Sequence, residues 1–166
     1  MLSLLERLER GLDAVTRPVV FAAMAALIGV ISLQIISRVA FTAVGWTEEV
    51  ARFLLVWITF LAATLAYRAG RHIAVTFVVD ALPGLGGRIA RIIAHLVVLA
   101  FLLALIVIGW NYMQLQSFQK SASLRLSMTW VYAVMPLAGA LMAFTTLVAI
   151  VRELTGQTPA SPQEVA

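Results

Sequence analysis

The residues best suited to polar chemistry are concentrated in segment 46–53, which reads Trp-Thr-Glu-Glu-Val-Ala-Arg-Phe. Arg52 follows Glu48 by four residues and Glu49 by three, so in a helix either carboxylate can pair with the guanidinium. Thr47 is suited to cap such a helix, and both carboxylates favour the positive end of its dipole. The pattern predicts either a local helix cap or partly desolvated charge that contacts another subunit, and both interpretations stay open.

The two histidines are the other candidates for chemistry. His72 lies beside Arg71, and His95 follows Arg91 by about one helical turn. Two histidines at one depth on facing helices could hold a haem, which would make the chain a haem-bearing membrane anchor of an enzyme. Positions at a membrane interface explain both residues more simply.

Other signatures of catalysis or metal binding are missing from the sequence. It contains no cysteine, and it shows no phosphate-binding glycine loop, metal-binding histidine pair or nucleophile beside a base. We therefore predict that the chain is not an enzyme and that it has no catalytic, cofactor-binding or metal-binding residues of its own.

The composition excludes a soluble domain. Of the 166 residues 62% are apolar and only 12% are charged, and the mean hydropathy is +0.98. Four runs of 20, 15, 28 and 26 residues lack Asp, Glu, Lys and Arg: 18–37, 53–67, 92–119 and 126–151. Because about 20 helical residues cross a bilayer core, these runs predict an all-α integral membrane protein with four transmembrane helices. The predicted helices cover 18–38, 50–69, a third from about 88 onwards, and 129–152.

The first 17 residues predict a separate element. Apolar residues recur there at helical spacing, with charged residues between them: Leu4, Leu5, Leu8, Leu12 and Val15. This pattern predicts an amphipathic interfacial helix on the cytoplasmic surface. The predicted organisation is an arm over 1–17, one four-helix transmembrane domain over 18–152 and a polar tail over 153–166.

The arginines predict the orientation. Eight would lie on the side of both termini: Arg7, Arg10, Arg17, Arg68, Arg71, Arg88, Arg91 and Arg152. Four basic residues would lie opposite: Arg38, Arg52, Lys120 and Arg125. Positively charged loops face the cytoplasm, so both termini are predicted to be cytoplasmic.

The deep parts of the predicted helices carry no ionisable residue that could couple ions or protons. Their hydroxyls, among them Thr59, Thr64, Thr145 and Thr146, are expected to bond to the backbone or to neighbouring helices. Small residues at four-residue spacing predict close helix approach, in one ladder at Gly139 and Ala143 and in another at Ala62, Ala66 and Gly70.

Several longer stretches together resemble a known family. They read Trp-Thr-Glu-Glu-Val-Ala-Arg-Phe-Leu-Leu-Val-Trp (46–57), Ala-Tyr-Arg-Ala-Gly-Arg-His-Ile-Ala-Val (66–75), Leu-Pro (82–83), Trp-Val-Tyr (130–132) and Met-Pro-Leu (135–137). With the four-helix layout, they resemble the small membrane subunits of tripartite ATP-independent periplasmic (TRAP) transporters, the DctQ-like proteins. The likeness covers nearly the whole chain.

The resemblance implies an accessory subunit in a bacterial inner membrane. Such a subunit pairs with a large multi-spanning TRAP subunit that binds substrate and sodium, and a periplasmic substrate-binding protein delivers an organic acid to the pair. No nucleic acid is expected as a partner, whereas membrane lipid is. The rival hypothesis from the residues alone is a self-sufficient, small homodimeric transporter.

Eight residues follow as candidates from the motif and the topology. The candidate structural or subunit-contact residues are Trp46, Glu48, Glu49, Arg52 and Trp57. The candidate cytoplasmic anchors are Arg68, Arg71 and His72.

Overall fold

The regular structure of the described residues is almost entirely helical. A computed structural model describes residues 2–40, 44–70 and 85–155. Its helices are α1 (Leu2–Ala40), α2 (Gly45–Gly70), α3 (Leu85–Leu115), α4 (Met128–Tyr132) and α5 (Val134–Thr155), with a short 3-10 turn at Gln116–Phe118. Four segments are long and apolar enough to cross a membrane: Arg7–Ala40, Gly45–Ala69, Gly86–Phe118 and Met128–Thr155. The predicted all-α fold with four membrane-spanning helices is confirmed at this level.

The start of α2 differs from the prediction. The helix begins at Gly45 rather than near residue 50, so Thr47 lies inside its first turn. The Thr47 hydroxyl donates a hydrogen bond of 2.7 Å to the carbonyl of Val44. The expectation that Thr47 caps the helix from outside was therefore wrong. The N–H groups of the first helical turn have no carbonyl partner within the helix. Polar side chains are therefore tolerated in the first turn of α2.

Helix α1 continues through the predicted boundary between arm and membrane helix. Its 39 residues include Pro18 and extend about 58 Å if straight, which exceeds a bilayer core. In its first half Glu9 and Thr16 are buried, whereas Leu8 and Val15 are 57% and 64% exposed. Glu9 and Thr16 thus pack against the rest of the chain, whereas Leu8 and Val15 face outward, as do Arg7, Arg10 and Arg17. Its placement on a membrane surface stays a prediction.

Helices α4 and α5 together form the last span. Ser127 caps α4 by accepting from the N–H of Thr129, and Ala133 separates the two helices. Pro136 has no N–H to donate to the preceding turn, so the helical bonding is incomplete at this point.

The helices pack as a row in the order α3, α5, α2, α1, and no extensive packing joins α1 to α3 in the described part of the chain. The core follows α5, where Val134, Ala138 and Val148 are almost completely buried. A Cβ added at Gly139 would lie 2.9 Å from Cγ1 of Ile106 on α3. The predicted close approach at Gly139 is thus made within this chain. Ala66 of the other ladder is exposed.

Candidate functional site

Charged and aromatic residues gather at the two ends of the molecule along the helix axes. At one end, which we call the hairpin end, residues 119–127 fold back on themselves between α3 and α4. The N–H of Ser121 bonds to the carbonyl of Leu126 at 2.8 Å, and the N–H of Met128 bonds to that of Gln119 at 3.0 Å. Arg125 has a left-handed backbone, with φ of 54°.

Glu49 holds this hairpin from α2. Its Oε1 accepts from the N–H of Ser123 at 2.8 Å, and its Oε2 accepts from the N–H of Leu124 at 3.1 Å. A carboxylate that receives two backbone donors fixes the loop in place through charge-assisted hydrogen bonds. In the described structure, Glu49 therefore has a structural role within the chain.

Glu48 and Arg52 form a different kind of contact. The Arg52 Nη2 lies 3.3 Å from the Glu48 Oε1, and the two side chains are 67% and 63% exposed. They border an open cleft of about 480 Å³ together with Gly45, Glu49, Ala122 and Ser123. An exposed pair of this kind contributes little to folding stability.

The tryptophans of the motif occupy the same half of α2. Trp46 is 39% exposed, whereas Trp57 is half-buried and its Nε1 donates to the carbonyl of Trp130 at 3.3 Å. Trp57 thereby links α2 to α4. Nearby, the rings of Tyr112 and Tyr132 meet edge to face at 4.8 Å, which links α3 to α4.

At the opposite end, which we call the arginine end, Arg68 lies between three helices. Its side chain is 7% exposed, and its Nη1 lies 2.6 Å from Oδ1 of Asp13 on α1. Its Nε donates to Oγ1 of Thr145 on α5 at 3.1 Å. The guanidinium of Arg68 thus points into the protein and joins α2 to α1 and α5.

Two further contacts strengthen this junction. The Nη2 of Arg152 lies 3.2 Å from Oε2 of Glu9, with side-chain exposures of 16% and 9%. The hydroxyl of Tyr67 and that of Thr146 are hydrogen-bonded at 2.8 Å. The start of α1 and the end of α5 therefore lie at the same end of the molecule.

Two arginines of α3 bind the end of α5. The Nε and Nη2 of Arg88 donate to the carbonyl of Glu153 at 3.1 and 2.7 Å, and Nη2 also donates to that of Leu154 at 2.9 Å. The Nε of Arg91 lies 3.0 Å from Oε1 of Glu153. Positive side chains that satisfy the last carbonyls stabilise a helix C-terminus.

Of the other sequence candidates, Arg71 and His72 lie outside the described residues, and His95 is buried on α3. No group of three side chains suited to a metal ion occurs in ranges 2–40, 44–70 and 85–155. Sequence reasoning did not single out Glu9 and Asp13. With Thr16 they form a polar stripe at spacings of four and three residues, which was the available signal for a buried face.

Comparison with known proteins shows which family the sequence matches. Residues 27–156 match the family model described as "Tripartite ATP-independent periplasmic transporters, DctQ component". The chain is 28% identical over 145 residues to the sialic acid TRAP transporter small permease protein SiaQ of Vibrio cholerae, covering 86% of this chain and 83% of that protein.

Longer relatives match as well. The isethionate TRAP transporter permease protein DctMQ of Oleidesulfovibrio alaskensis is 33% identical over 153 residues, covering 85% of this chain and 23% of that protein. The sialic acid TRAP transporter permease protein SiaT of Haemophilus influenzae is 28% identical over 120 residues, covering 72% of this chain and 20% of that protein. This chain thus corresponds to about a fifth of each longer permease, and with most of its length matched by the family model it belongs to the DctQ component family of the TRAP transporters.

Proposed function

We propose that this small TRAP permease subunit is a non-catalytic scaffold that pairs with a large multi-spanning TRAP subunit in a bacterial inner membrane. The pair takes up an organic acid that a periplasmic substrate-binding protein delivers. An ion gradient drives the uptake, and sodium binds to the large subunit rather than to this chain.

The observation that carries the proposal is the hydrogen bonding of the threonine hydroxyls within the spans. Thr59, Thr64, Thr145 and Thr146 each donate to a carbonyl three or four residues earlier in the same helix, at 2.7 to 3.2 Å. The prediction that these hydroxyls bond to the backbone is confirmed. Groups occupied in this way serve packing rather than ion or substrate binding, so coupling is expected to reside in a partner.

The open row of helices supports a role as a scaffold. Helix α5 has neighbours on both sides, whereas α1 and α3 lie at the edges of the row. Large apolar side chains on these outer helices are exposed, among them Phe21 at 68% and Phe101 at 66%. Such faces suit lipid or the helices of a larger membrane subunit.

The long relatives support the pairing. DctMQ and SiaT are named as permease proteins, and the region matched by this chain is about a fifth of each. In these relatives, a region similar to this chain is part of one longer permease polypeptide. We therefore expect this chain to work beside a separate large subunit. This arrangement is favoured over a self-sufficient homodimeric transporter and over a haem-bearing anchor.

Reconstituted transport tests the proposal. Liposomes would contain this chain, the large subunit or both, with loaded binding protein outside and an inward sodium gradient. We expect uptake of the organic acid only when both subunits are present, and we expect collapse of the gradient to abolish it. Uptake by liposomes that contain this chain alone would contradict the proposal and favour the homodimeric transporter.

A further inference from the structure

An apolar groove of about 320 Å³ lies at the hairpin end, between α2 and the hairpin. It is lined by Val50, Phe53, Leu54, Trp57, Leu124 and Leu126. The four residues from α2 follow the spacing of a single helix face. The two leucines belong to the hairpin, which Glu49 holds against α2 through its hydrogen bonds to the N–H groups of Ser123 and Leu124. Both walls of the groove are therefore fixed by the fold.

Charged and aromatic residues of α2 indicate the depth of the groove in a bilayer. Glu48 and Arg52 precede and follow Val50 along the helix, and both side chains are largely exposed. Exposed charges are unfavourable in hydrocarbon, so this level of α2 is expected to lie among the lipid headgroups. Trp57 lies about 7 Å farther along the helix than Arg52, and tryptophan favours the boundary between headgroups and hydrocarbon. The groove therefore leads from the headgroup level towards the hydrocarbon.

The hairpin carries two cations beside the groove. Arg125 is exposed and lies between Leu124 and Leu126, the two hairpin residues that line the groove. Lys120 is also exposed, and it forms an antiparallel bridge with Ser127, the residue after Leu126. Within ranges 2–40, 44–70 and 85–155, neither basic side chain forms a hydrogen bond or an ion pair. Both charges are therefore available to a ligand.

The charges around the groove are positive in sum. Segments 45–57 and 119–127 contain three cations, Arg52, Lys120 and Arg125, and two anions, Glu48 and Glu49. Glu48 pairs with Arg52, and Glu49 accepts from the hairpin backbone. The two anions are thus engaged within the chain, and the two hairpin cations are complementary to an anionic ligand.

We propose that the groove and the hairpin cations bind one anionic phospholipid. One acyl chain lies in the groove beside Leu54 and Leu126, and the phosphate lies beside Arg125, with Lys120 adding to the positive field. Phosphate oxygens are well matched to guanidinium donors. An acidic soluble protein would suit the cations, but it would not fill a groove that leads towards the hydrocarbon. The site does not depend on the transport role proposed above.

Native mass spectrometry of the delipidated full-length protein, with any subunit that co-purifies, tests the proposal. The probes are palmitoyl-oleoyl phosphatidylglycerol, the zwitterionic palmitoyl-oleoyl phosphatidylcholine, and glycerol 3-phosphate, which lacks acyl chains. We expect saturable binding of one phosphatidylglycerol, with each of the other probes bound at least about tenfold more weakly. Equal binding of phosphatidylcholine would overturn the role of the cations, and equal binding of glycerol 3-phosphate would overturn the role of the groove.

A matched pair of variants tests the arginine. Arg125 has a left-handed backbone, which asparagine adopts more readily than most residues, so Arg125→Asn should keep the hairpin folded. It should weaken phosphatidylglycerol binding about fivefold, since one basic residue beside anionic lipid contributes on that order. The control Arg38→Asn removes an exposed arginine from the last turn of α1, outside the groove, and should leave binding unchanged. An equal loss in both variants would show only general attraction to charge and would overturn the site.

A second pair of variants tests the groove. Leu126 and Leu115 are both exposed, at 49% and 80%, but only the former lines the groove. Leu126→Gln should weaken phosphatidylglycerol binding about fivefold, because the acyl chain loses apolar surface that it covers. Leu115→Gln makes the same change outside the groove and should leave binding unchanged. Unchanged binding by Leu126→Gln would place the acyl chain elsewhere and contradict the proposal.

A photo-crosslinking amino acid in place of Leu126 identifies the occupant of the groove in the native membrane. Capture of phospholipid is the expected result. Capture of a segment of the large subunit, or of a soluble protein, would assign the groove to that partner and would overturn the lipid assignment.

Discussion

Individual charged residues of this protein fall into two groups that differ in burial. The side chains of Arg68 and Arg152 are only 7% and 16% exposed and hold helices together, whereas Glu48 and Arg52 form an exposed pair that holds nothing else in the described structure. Breaking a buried ion pair leaves an uncompensated charge, whereas breaking an exposed one changes stability little. From this difference in exposure we expect Arg68 and Arg152 to serve the fold, and Glu48 and Arg52 to be available to a partner.

The two adjacent glutamates of the motif make this difference testable. Glu49→Ala should lower the thermal midpoint of the protein by a few degrees, because the hairpin loses its two acceptors. Glu48→Ala should leave the midpoint unchanged, because only an exposed pair is lost. It should reduce co-purification of the large subunit, because it removes a charge that we expect to contact that subunit. Thermal unfolding in detergent and quantitative recovery of the partner provide the two measurements. Unchanged recovery with Glu48→Ala would remove the subunit-contact role from this residue.

Sequence reasoning succeeded at residue scale where partners are local. The spacing predicted that Arg52 could pair with Glu48 or with Glu49, and the structure contains the pair with Glu48. The same reasoning could not find the partners of Arg68, because Asp13 and Thr145 are 55 and 77 residues away along the chain. The role of cytoplasmic anchor stays a prediction for Arg68, Arg71 and His72. In the structure, the side chain of Arg68 is directed into the protein.

At the scale of elements, the contact between α3 and α5 depends on Gly139. Gly139→Ala would place a Cβ 2.9 Å from Cγ1 of Ile106, a β-branched residue whose rotamer is restricted. Overpacking of this kind costs about 1–3 kcal/mol, which exceeds the gain of about 1 kcal/mol in helix propensity. We expect a lower thermal midpoint in detergent.

Gly29→Ala provides the control for this prediction. Gly29 lies on α1 with nothing within 4 Å of an added Cβ, so the substitution should leave the midpoint unchanged or raise it slightly. A midpoint for Gly139→Ala at or above that of the wild type would show that α3 and α5 do not approach as closely as described.

The helices were predictable to the extent that charge marks their ends. Ionisable residues are unfavourable in hydrocarbon, so the four uncharged runs located the four spans. The second span was predicted to begin about five residues later than α2 does, because it was extended from the uncharged run only as far as a snorkelling Arg52 allowed. The order of the row was not predictable, because lipid is as apolar as a helix face and hydropathy does not indicate which face packs against protein.

The whole molecule has two distinct ends, and their orientation is a prediction that labelling can test. The sequence lacks cysteine, so one introduced thiol reports a single position. In intact spheroplasts a membrane-impermeant maleimide should label Ala122→Cys at the hairpin end, and should label Thr155→Cys at the arginine end only after lysis. This pattern follows from the excess of arginine on the side of the termini. The opposite pattern would reverse the orientation.

The central claim is that this small permease subunit works beside a large one. The most direct measurement is to tag the C-terminus, extract the protein from its native membrane in mild detergent, and determine the identity and stoichiometry of whatever co-purifies by mass spectrometry. We predict one large multi-spanning TRAP subunit for each copy of this chain. Recovery of this chain only, as a monomer or a homo-oligomer, would contradict the account.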